Sequence, residues 1–319
     1  MDKHLTEVKT NLFIEQYGTE KLGKLKSVML HTPKASLNII NKNNYKYYLF
    51  NKAPNYNKFI NEHIRYSQFL KSLGIEVFEL SSLVSENIDL MNKHPNLTYL
   101  HDVGVVNTNG AILSKMCHGG REHEDIVLKE ALTNLGIPIF HEFNASDNFE
   151  GCLMLSPDTL LIANTERHTE ASIMKGIPKF LEIFKKVIYV KIPKLRRYMH
   201  PDMIYNRISD TLALAYLPAF LKTFLITKDT KIQIDFKTYM ANNGIEIINI
   251  TNREQLYWGT SFVPLEPNVI IHYDFSLSTK TQKMLYDRNV KIIKFHPDDA
   301  LLAGGGSLRC LTLRLYRGD

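Results

Sequence analysis

The chain has few cysteines and no long apolar run. Its 319 residues hold only Cys117, Cys152 and Cys310, an odd number at irregular spacing that suits neither a disulfide framework nor a CxxC metal site. Reduced thiols are expected. No stretch of about 18 apolar residues occurs, and the opening MDKHLTEVKTNLF lacks the apolar centre of a secretion leader. The expectation is a soluble, cytoplasmic protein. Low-complexity linkers are absent. The glycine run 304–306 leads to a cysteine and not to a helix carrying Lys-Ser/Thr, so it is not a phosphate-cradling loop. Acidic residues are outnumbered 33 to 39, a net charge of +6. The lysines are scattered, however, and only 194–197 (Lys-Leu-Arg-Arg) forms a basic patch. A solvated surface with no nucleic-acid partner is expected. His118 and His123, with Glu122 and Glu124, look like ligands, but Arg121 among them and the five-residue histidine separation suit chelation poorly. Neither a metal nor a cofactor is expected.

What the chain does have is enough apolar residue, 44%, to bury a large core. Five short apolar strands recur: 75–80 (IEVFEL), 137–142 (IPIFHE), 187–192 (VIYVKI), 245–250 (IEIINI) and 290–295 (VKIIKF). Each follows an amphipathic stretch, such as 57–73, where Ile60, Ile64, Phe69 and Leu73 recur at near-helical spacing, or 121–135. Ahead of those stretches lie further strands within 25–31, 103–113, 153–163, 212–226 and 262–273. Asn109-Gly110 marks a hairpin in the second of these segments. The unit is strand or hairpin, helix, strand, repeated five times, which suggests units packed around a shared centre, a five-bladed αβ propeller. A doubly wound α/β sheet would show the same alternation.

Polar clusters fall at the edges of these units: 95–102 (PNLTYLHD), Glu150-Gly151, and Met199-His200-Pro201-Asp202. The last cluster is Gly304-Gly305-Gly306-Ser307-Leu308-Arg309-Cys310. Glycines there permit positive φ and close approach to a ligand, and Arg309 beside Cys310 favours a thiolate. A cysteine, a histidine and several carboxylates are the parts of covalent catalysis. Each also has a bland reading: Asp102 as a turn cap, Glu150 as a surface acid, His200-Pro201-Asp202 as a local turn, and Cys310 as a buried tail thiol.

Taken together, these segments resemble the arginine deiminases, guanidino-group-modifying enzymes of the pentein fold. The resemblance runs from GKLKSVMLHTP (23–33) through 49–80, with Glu62, His63 and Phe69, to GGGSLRCLTLRLYR (304–317), and so covers 23–319 as one catalytic domain behind an extension, 1–22. It implies that Cys310 attacks a guanidinium carbon while His200 shuttles protons. Asp102 and Asp202 would grip the guanidinium, and Glu150 would support His200. Asn96, Arg121 (with Met116 and Glu124) and Arg167 (with Thr165 and Glu166) would hold the amino-acid end, with Tyr99 and Gly305 also against the substrate. Two carboxylates suit a planar, permanently charged guanidinium, and Arg121 and Arg167 suit an α-carboxylate.

Several positions depart from the family pattern. Glu-Gly-Gly-Asp reads Glu150-Gly151-Cys152-Leu153, the glycine-loop arginines are Ala303 and Gly305, the proline after the cysteine is Arg314, and an aspartate of the first unit is Asn51. The helical insertion of bacterial deiminases does not fit between Leu80 and Asp102. The implied reaction is L-arginine to L-citrulline and ammonia through an amidino-cysteine. An arginine dihydrolase, a hydrolase of citrulline or a methylated arginine, an amidinotransferase and a non-catalytic arginine-binding protein use the same parts. Homo-oligomer formation is left open.

Overall fold

Alternation of buried strand, helix and parallel strand organises the molecule, whose computed structural model describes residues 13–318. The first unit is β1 (Lys24–Leu30), α1 (Tyr56–Ser72) and β2 (Glu76–Glu79). The second is β3 (Gly104–Asn107), β4 (Gly110–Leu113), α2 (Glu124–Asn134) and β5 (Ile139–His141). The third is β6 (Leu153–Ser156), β7 (Thr159–Asn164), α3 (Glu170–Phe180) and β8 (Lys186–Lys191). In the fourth, β9 (Tyr205–Arg207) and β10 (Leu212–Ala215) are followed by a hairpin, β11 (Lys222–Ile226) and β12 (Lys231–Ile234), then α4 (Phe236–Asn242) and β13 (Glu246–Asn249). The fifth is β14 (Val263–Glu266), β15 (Val269–Tyr273), α5 (Thr279–Tyr286) and β16 (Lys291–Phe295). A single helical turn, α6 (Leu308–Leu311), and β17 (Leu313–Gly318) end the fold.

These strands form five sheets, none of them closed. In each, one strand pairs parallel with the strand after its helix: β1 with β2, β4 with β5, β7 with β8, β10 with β13 and β15 with β16. The other neighbour is antiparallel, and the first sheet takes its own from the far end of the chain, where β17 pairs with β1. Of these, β4, β7 and β10 are buried throughout, as expected where both faces are covered. The hairpin at Asn109-Gly110 is present, with Asn107 opposite Gly110.

Three expectations need correction. The five units are not equal: β11 leaves its own unit to pair with β8, and β12 follows, so the third sheet has five strands. Helix α2 begins at Glu124 and not at 121, because His123 has φ 74° and Gly119–Arg121 form a separate 3-10 turn. In α1 the buried face runs through Phe59, Ile60, His63, Tyr66 and Leu70, which leaves Ile64 36% exposed.

Side-chain caps set the starts of the helices. Asn55, Thr169, Asp235 and Ser278 each accept a hydrogen bond from a backbone N–H three residues on. The first twelve residues of the 1–22 extension lie outside the described residues. Its remainder hydrogen-bonds onto the fold, Gly18 N to Leu315 O at 2.8 Å and Thr19 N to Val106 O at 3.1 Å. No helix among the described residues is long and apolar enough to cross a membrane.

Candidate active site

The chemistry-bearing residues lie in the short turns that lead into the first strands of the second, third and fourth units and into β17. Asp102 ends a 3-10 turn, Leu100–Asp102, ahead of β3. Glu150 precedes β6, and His200 starts the 3-10 turn Pro201–Met203 ahead of β9. Cys310 sits in α6 ahead of β17. A cavity of about 470 Å³, its open mouth included, is lined by Asn96, Tyr99, Asp102, Arg121, Arg167, His200, Gly305 and Cys310. Glu150 and Asp202 are not on its surface; both are buried, at 0% and 1% exposure, and meet it through other side chains.

His200 is clasped by two carboxylates. Its Nε2 is 3.0 Å from Glu150 Oε2, and its Nδ1 is 3.3 Å from Asp102 Oδ1. Burial works against the imidazolium, but Asp102, Glu150 and Asp202 outweigh it and raise the His200 pKa. Glu150 is drawn well below the usual carboxylate range: burial opposes this, but His200, Arg167 and Arg121 prevail. Its second oxygen accepts from the Cys117 backbone N at 2.8 Å, which fixes the plane of the carboxylate. Asp102 Oδ2 accepts from Arg121 Nη1 at 2.8 Å. Asp102 Oδ1, although close to His200, is aligned with no donor and is a buried acceptor without a hydrogen bond. A ligand N–H would satisfy it.

Cys310 is positioned by Ser307, whose Oγ caps α6 by accepting from Cys310 N and lies 3.3 Å from Sγ. Ser307 in turn contacts Ser261 Oγ at 2.6 Å, and Ser261 donates to Asp202. Burial pushes the thiol pKa up and Asp102 and Asp202 push it further, against the Ser307 contacts. The expectation that Arg309 makes Cys310 a thiolate is therefore corrected: without a ligand the thiol is protonated. The Arg309 guanidinium is committed elsewhere, with Nε on His101 Nε2 at 3.2 Å and Nη1 on Asn206 Oδ1 at 3.1 Å.

The glycine run wraps Tyr99. A Cβ on Gly304 would overlap the Tyr99 hydroxyl, and one on Gly306 would overlap its ring. Gly305 has φ +82°, a conformation that favours glycine. The Tyr99 hydroxyl itself is buried without a partner.

Arg121 is already committed. Besides Asp102 it donates from Nε to Glu124 Oε2 at 2.9 Å and from Nη2 to Asn96 O at 3.3 Å. Asn96 donates from Nδ2 to Tyr48 O, and Arg167 Nε reaches Glu166 Oε1 at 3.3 Å. Sequence reasoning missed Arg196, Leu49, Met199, Met203 and Trp258, which also line the cavity. Arg196 was assigned to a surface patch, yet its Nη2 donates to Leu49 O at 2.6 Å. Its place four residues before His200 was the available signal. Leu49 and Trp258 both have φ of 61°, an uncommon conformation for such residues. Cys152, expected beside Glu150, is packed among apolar residues with Phe143 and Phe149. Cys117 is the thiol beside Glu150, and burial with that carboxylate pushes it to about 12.

The fold is shared with solved guanidino-modifying enzymes of the pentein type. The N-terminal domain of ArgZ, an arginine dihydrolase from the ornithine-ammonia cycle in Cyanobacteria, superposes with a TM-score of 0.67 at 17% identity, covering 90% of this chain and 96% of that domain. A dimethylarginine dimethylaminohydrolase superposes with a TM-score of 0.66 at 14% identity, covering 91% of this chain and 99% of the other. A family model described as arginine deiminase matches residues 87–317, and the chain belongs to that family. Among curated proteins, the arginine deiminase of Staphylococcus epidermidis is 25% identical over 260 residues, which is 70% of this chain but 62% of that deiminase. The chain thus spans under two thirds of that relative's length.

Proposed function

We propose that the protein is a cysteine-dependent hydrolase that converts L-arginine to L-citrulline and ammonia. The observation that carries this reading is the single cavity in which the Cys310 thiol, the His200 imidazolium and a free Asp102 oxygen meet a rim of Arg121, Arg167 and Arg196. The rim suits an α-carboxylate. The guanidinium of arginine, seated on Asp102 Oδ1, brings a positive charge to a thiol that burial and two carboxylates hold protonated, and the thiol then loses its proton to solvent. Sγ bonds to the guanidinium carbon, His200 gives its proton to one nitrogen, and the C–N bond breaks to release ammonia. An amidino-cysteine remains. His200, now neutral, takes a proton from water, and the hydroxide adds to the amidino carbon. Breaking the C–S bond returns the thiolate and frees citrulline, with its extra proton passing to the ammonia. Asp202 acts in this reading through Ser261 and Ser307 on Cys310.

A second reading is favoured by Leu153, which replaces an acid of the deiminase pattern, and by the fold shared with the ArgZ dihydrolase domain. An arginine dihydrolase would carry citrulline on to ornithine and a second ammonia. Purified protein incubated with L-arginine separates the two. Equal citrulline and ammonia support the deiminase, and ornithine with two ammonia supports the dihydrolase. Product only when an amine is added would replace both with an amidinotransferase, and binding without ammonia release would make the protein a binding module.

The five sheets, with equivalent turns converging on one cavity and β17 joining the chain's end to β1, support a five-bladed propeller with residues 23–319 as one catalytic domain. A cytoplasmic location belongs to the same proposal.

A further inference from the structure

A second cleft shares no lining residue with the active-site cavity. It measures about 350 Å³, including its mouth, and is walled by Arg207, Arg309, Arg314, Tyr205, Asn206 and Glu20 among others. Its donors outnumber their partners. Arg207, 8% exposed, donates Nη1 to Leu155 O and Nη2 to Asp210, but its Nε has no partner. Arg309, 3% exposed, spends its nitrogens on His101, Asn206 and Phe262 O, and its nearest carboxylate, Asp202, is 3.9 Å away. The Arg314 side chain is half-buried and has no hydrogen bond or ion pair among the described residues, and its Nε is shut off from solvent. The Tyr205 hydroxyl is likewise buried and unpartnered.

The one acid on the wall is Glu20. Its Oε1 is taken by Thr108 N and Thr108 Oγ1, and its Oε2 is buried without a partner. A guanidinium does not shed its proton in a protein, and an unpaired buried charge is costly. Arg207 is paired with Asp210 and Arg309 lies 3.9 Å from Asp202, so the uncompensated charge is that of Arg314, and beside it the cleft holds the buried, unpartnered donors Arg207 Nε, Arg314 Nε and the Tyr205 hydroxyl. Arg317, buried near the others, donates to the carbonyls of Gly23 and Pro264 and brings no anion. The direction of the Arg314 pKa, held well below its usual value by burial and by Arg309 and Arg317, agrees.

We propose that this cleft binds a small inorganic anion, held by the free nitrogens of Arg207 and Arg314 and by the Tyr205 hydroxyl. Glu20 opposes the ligand and limits its charge and size. A halide and a tetrahedral oxyanion share the required chemistry, and they are separated by using chloride and inorganic phosphate as probes.

The test uses the whole protein at constant ionic strength, with gluconate as the bulky reference anion. Replacing gluconate by chloride or by phosphate is expected to raise Tm saturably. The anion giving the larger rise at lower concentration identifies the class. A bromide-soaked crystal is expected to show an anomalous peak between Arg207 and Arg314. Arg314→Gln, with an unchanged far-UV spectrum, should weaken the apparent affinity about ten- to a hundredfold. Equal Tm in all three anions with no bromide peak in the wild-type cleft overturns the proposal, and so does an anion response that survives Arg314→Gln. The wild-type measurements decide the matter even if the variant fails to fold.

Discussion

At the residue scale, the three thiols differ in what surrounds them. Cys310 faces the cavity beside His200 and Asp102, Cys152 is 2% exposed in an apolar cluster, and Cys117 is held high by burial and Glu150. Cys310→Ala is therefore expected to reduce ammonia release from arginine to background, while Cys152→Ala leaves kcat unchanged and lowers stability by about 1 kcal/mol. The reverse pattern would discard Cys310 as nucleophile. Arg196 supports a second expectation. It lines the cavity but touches no proposed reacting group, so Arg196→Ala should raise KM about tenfold, with a smaller effect on kcat. A kcat loss as large as the KM rise would place it in the chemical step instead. That Asp102, Glu150, His200 and Cys310 fall in turns at strand entrances was largely legible, because each sits just ahead of an apolar strand. Their partners were not. That Arg309 gives its hydrogen bonds to His101 and Asn206 and none to Cys310 depends on contacts spanning more than a hundred residues, and Lys-Leu-Arg-Arg reads as solvated charge in any sequence.

At the element scale, the five closing strands and their parallel partners followed from β-branched runs bounded by turn residues, because helix-connected parallel strands carry that pattern wherever both faces are buried. The migration of β11 and β12 to the third sheet was not legible. Nothing local distinguishes a strand that pairs within its unit from one that pairs across it, and that choice is made by which edge lies open. The glycine loop is where an element most directly meets function. Its backbone passes so near Tyr99 that a methyl group at Gly304 or Gly306 has no room. Gly306→Ala is expected to cost about 1–3 kcal/mol through overpacking and to displace Tyr99 or the loop, lowering turnover. Circular dichroism melting and ammonia release measured together check this. A variant with wild-type Tm and wild-type turnover would mean that the loop and Tyr99 part easily. Glu62 supports the same loop from α1, accepting from the backbone N of Asp298 and of Leu301. That contact explains a buried acid in a helix face otherwise built from Phe59, Tyr66 and Leu70.

At the scale of the whole molecule, folding confines several histidines where protonation is unfavourable. Burial lowers His63 to about 4, His168 to about 3 and His272 to about 4, against an ordinary value of 6.5. Since each folded pKa lies below its unfolded one, these groups contribute stability that is present above pH 6.5 and lost as pH falls toward 4. His200 has the opposite sign: its folded pKa is raised by Asp102 and Glu150 over the opposing effect of burial, so its contribution is present below pH 6.5 and lost as pH rises through the raised value. Stability should therefore be greatest near neutrality, with a steep acid side. Near pH 5 each of these three imidazoles adds up to about one proton of difference, about 1.4 kcal/mol per pH unit apiece; His101, lowered by burial and Arg309, acts in the same sense, and Glu124, raised by burial to about 7, acts against it. Depressed carboxylates such as Glu150 and Glu254 add to the loss only below about pH 4.5. Urea midpoints between pH 7 and 4.5 measure the slope. His272 lies outside the cavity and bonds only Gly259 O, so His272→Gln should reduce the slope by about one proton's worth, about 1.4 kcal/mol per pH unit, without changing the pH profile of turnover. A stability curve that stays flat from pH 6.5 to 4.5 would mean that these imidazoles reach water in the folded state and that the core around them is looser than its packing indicates.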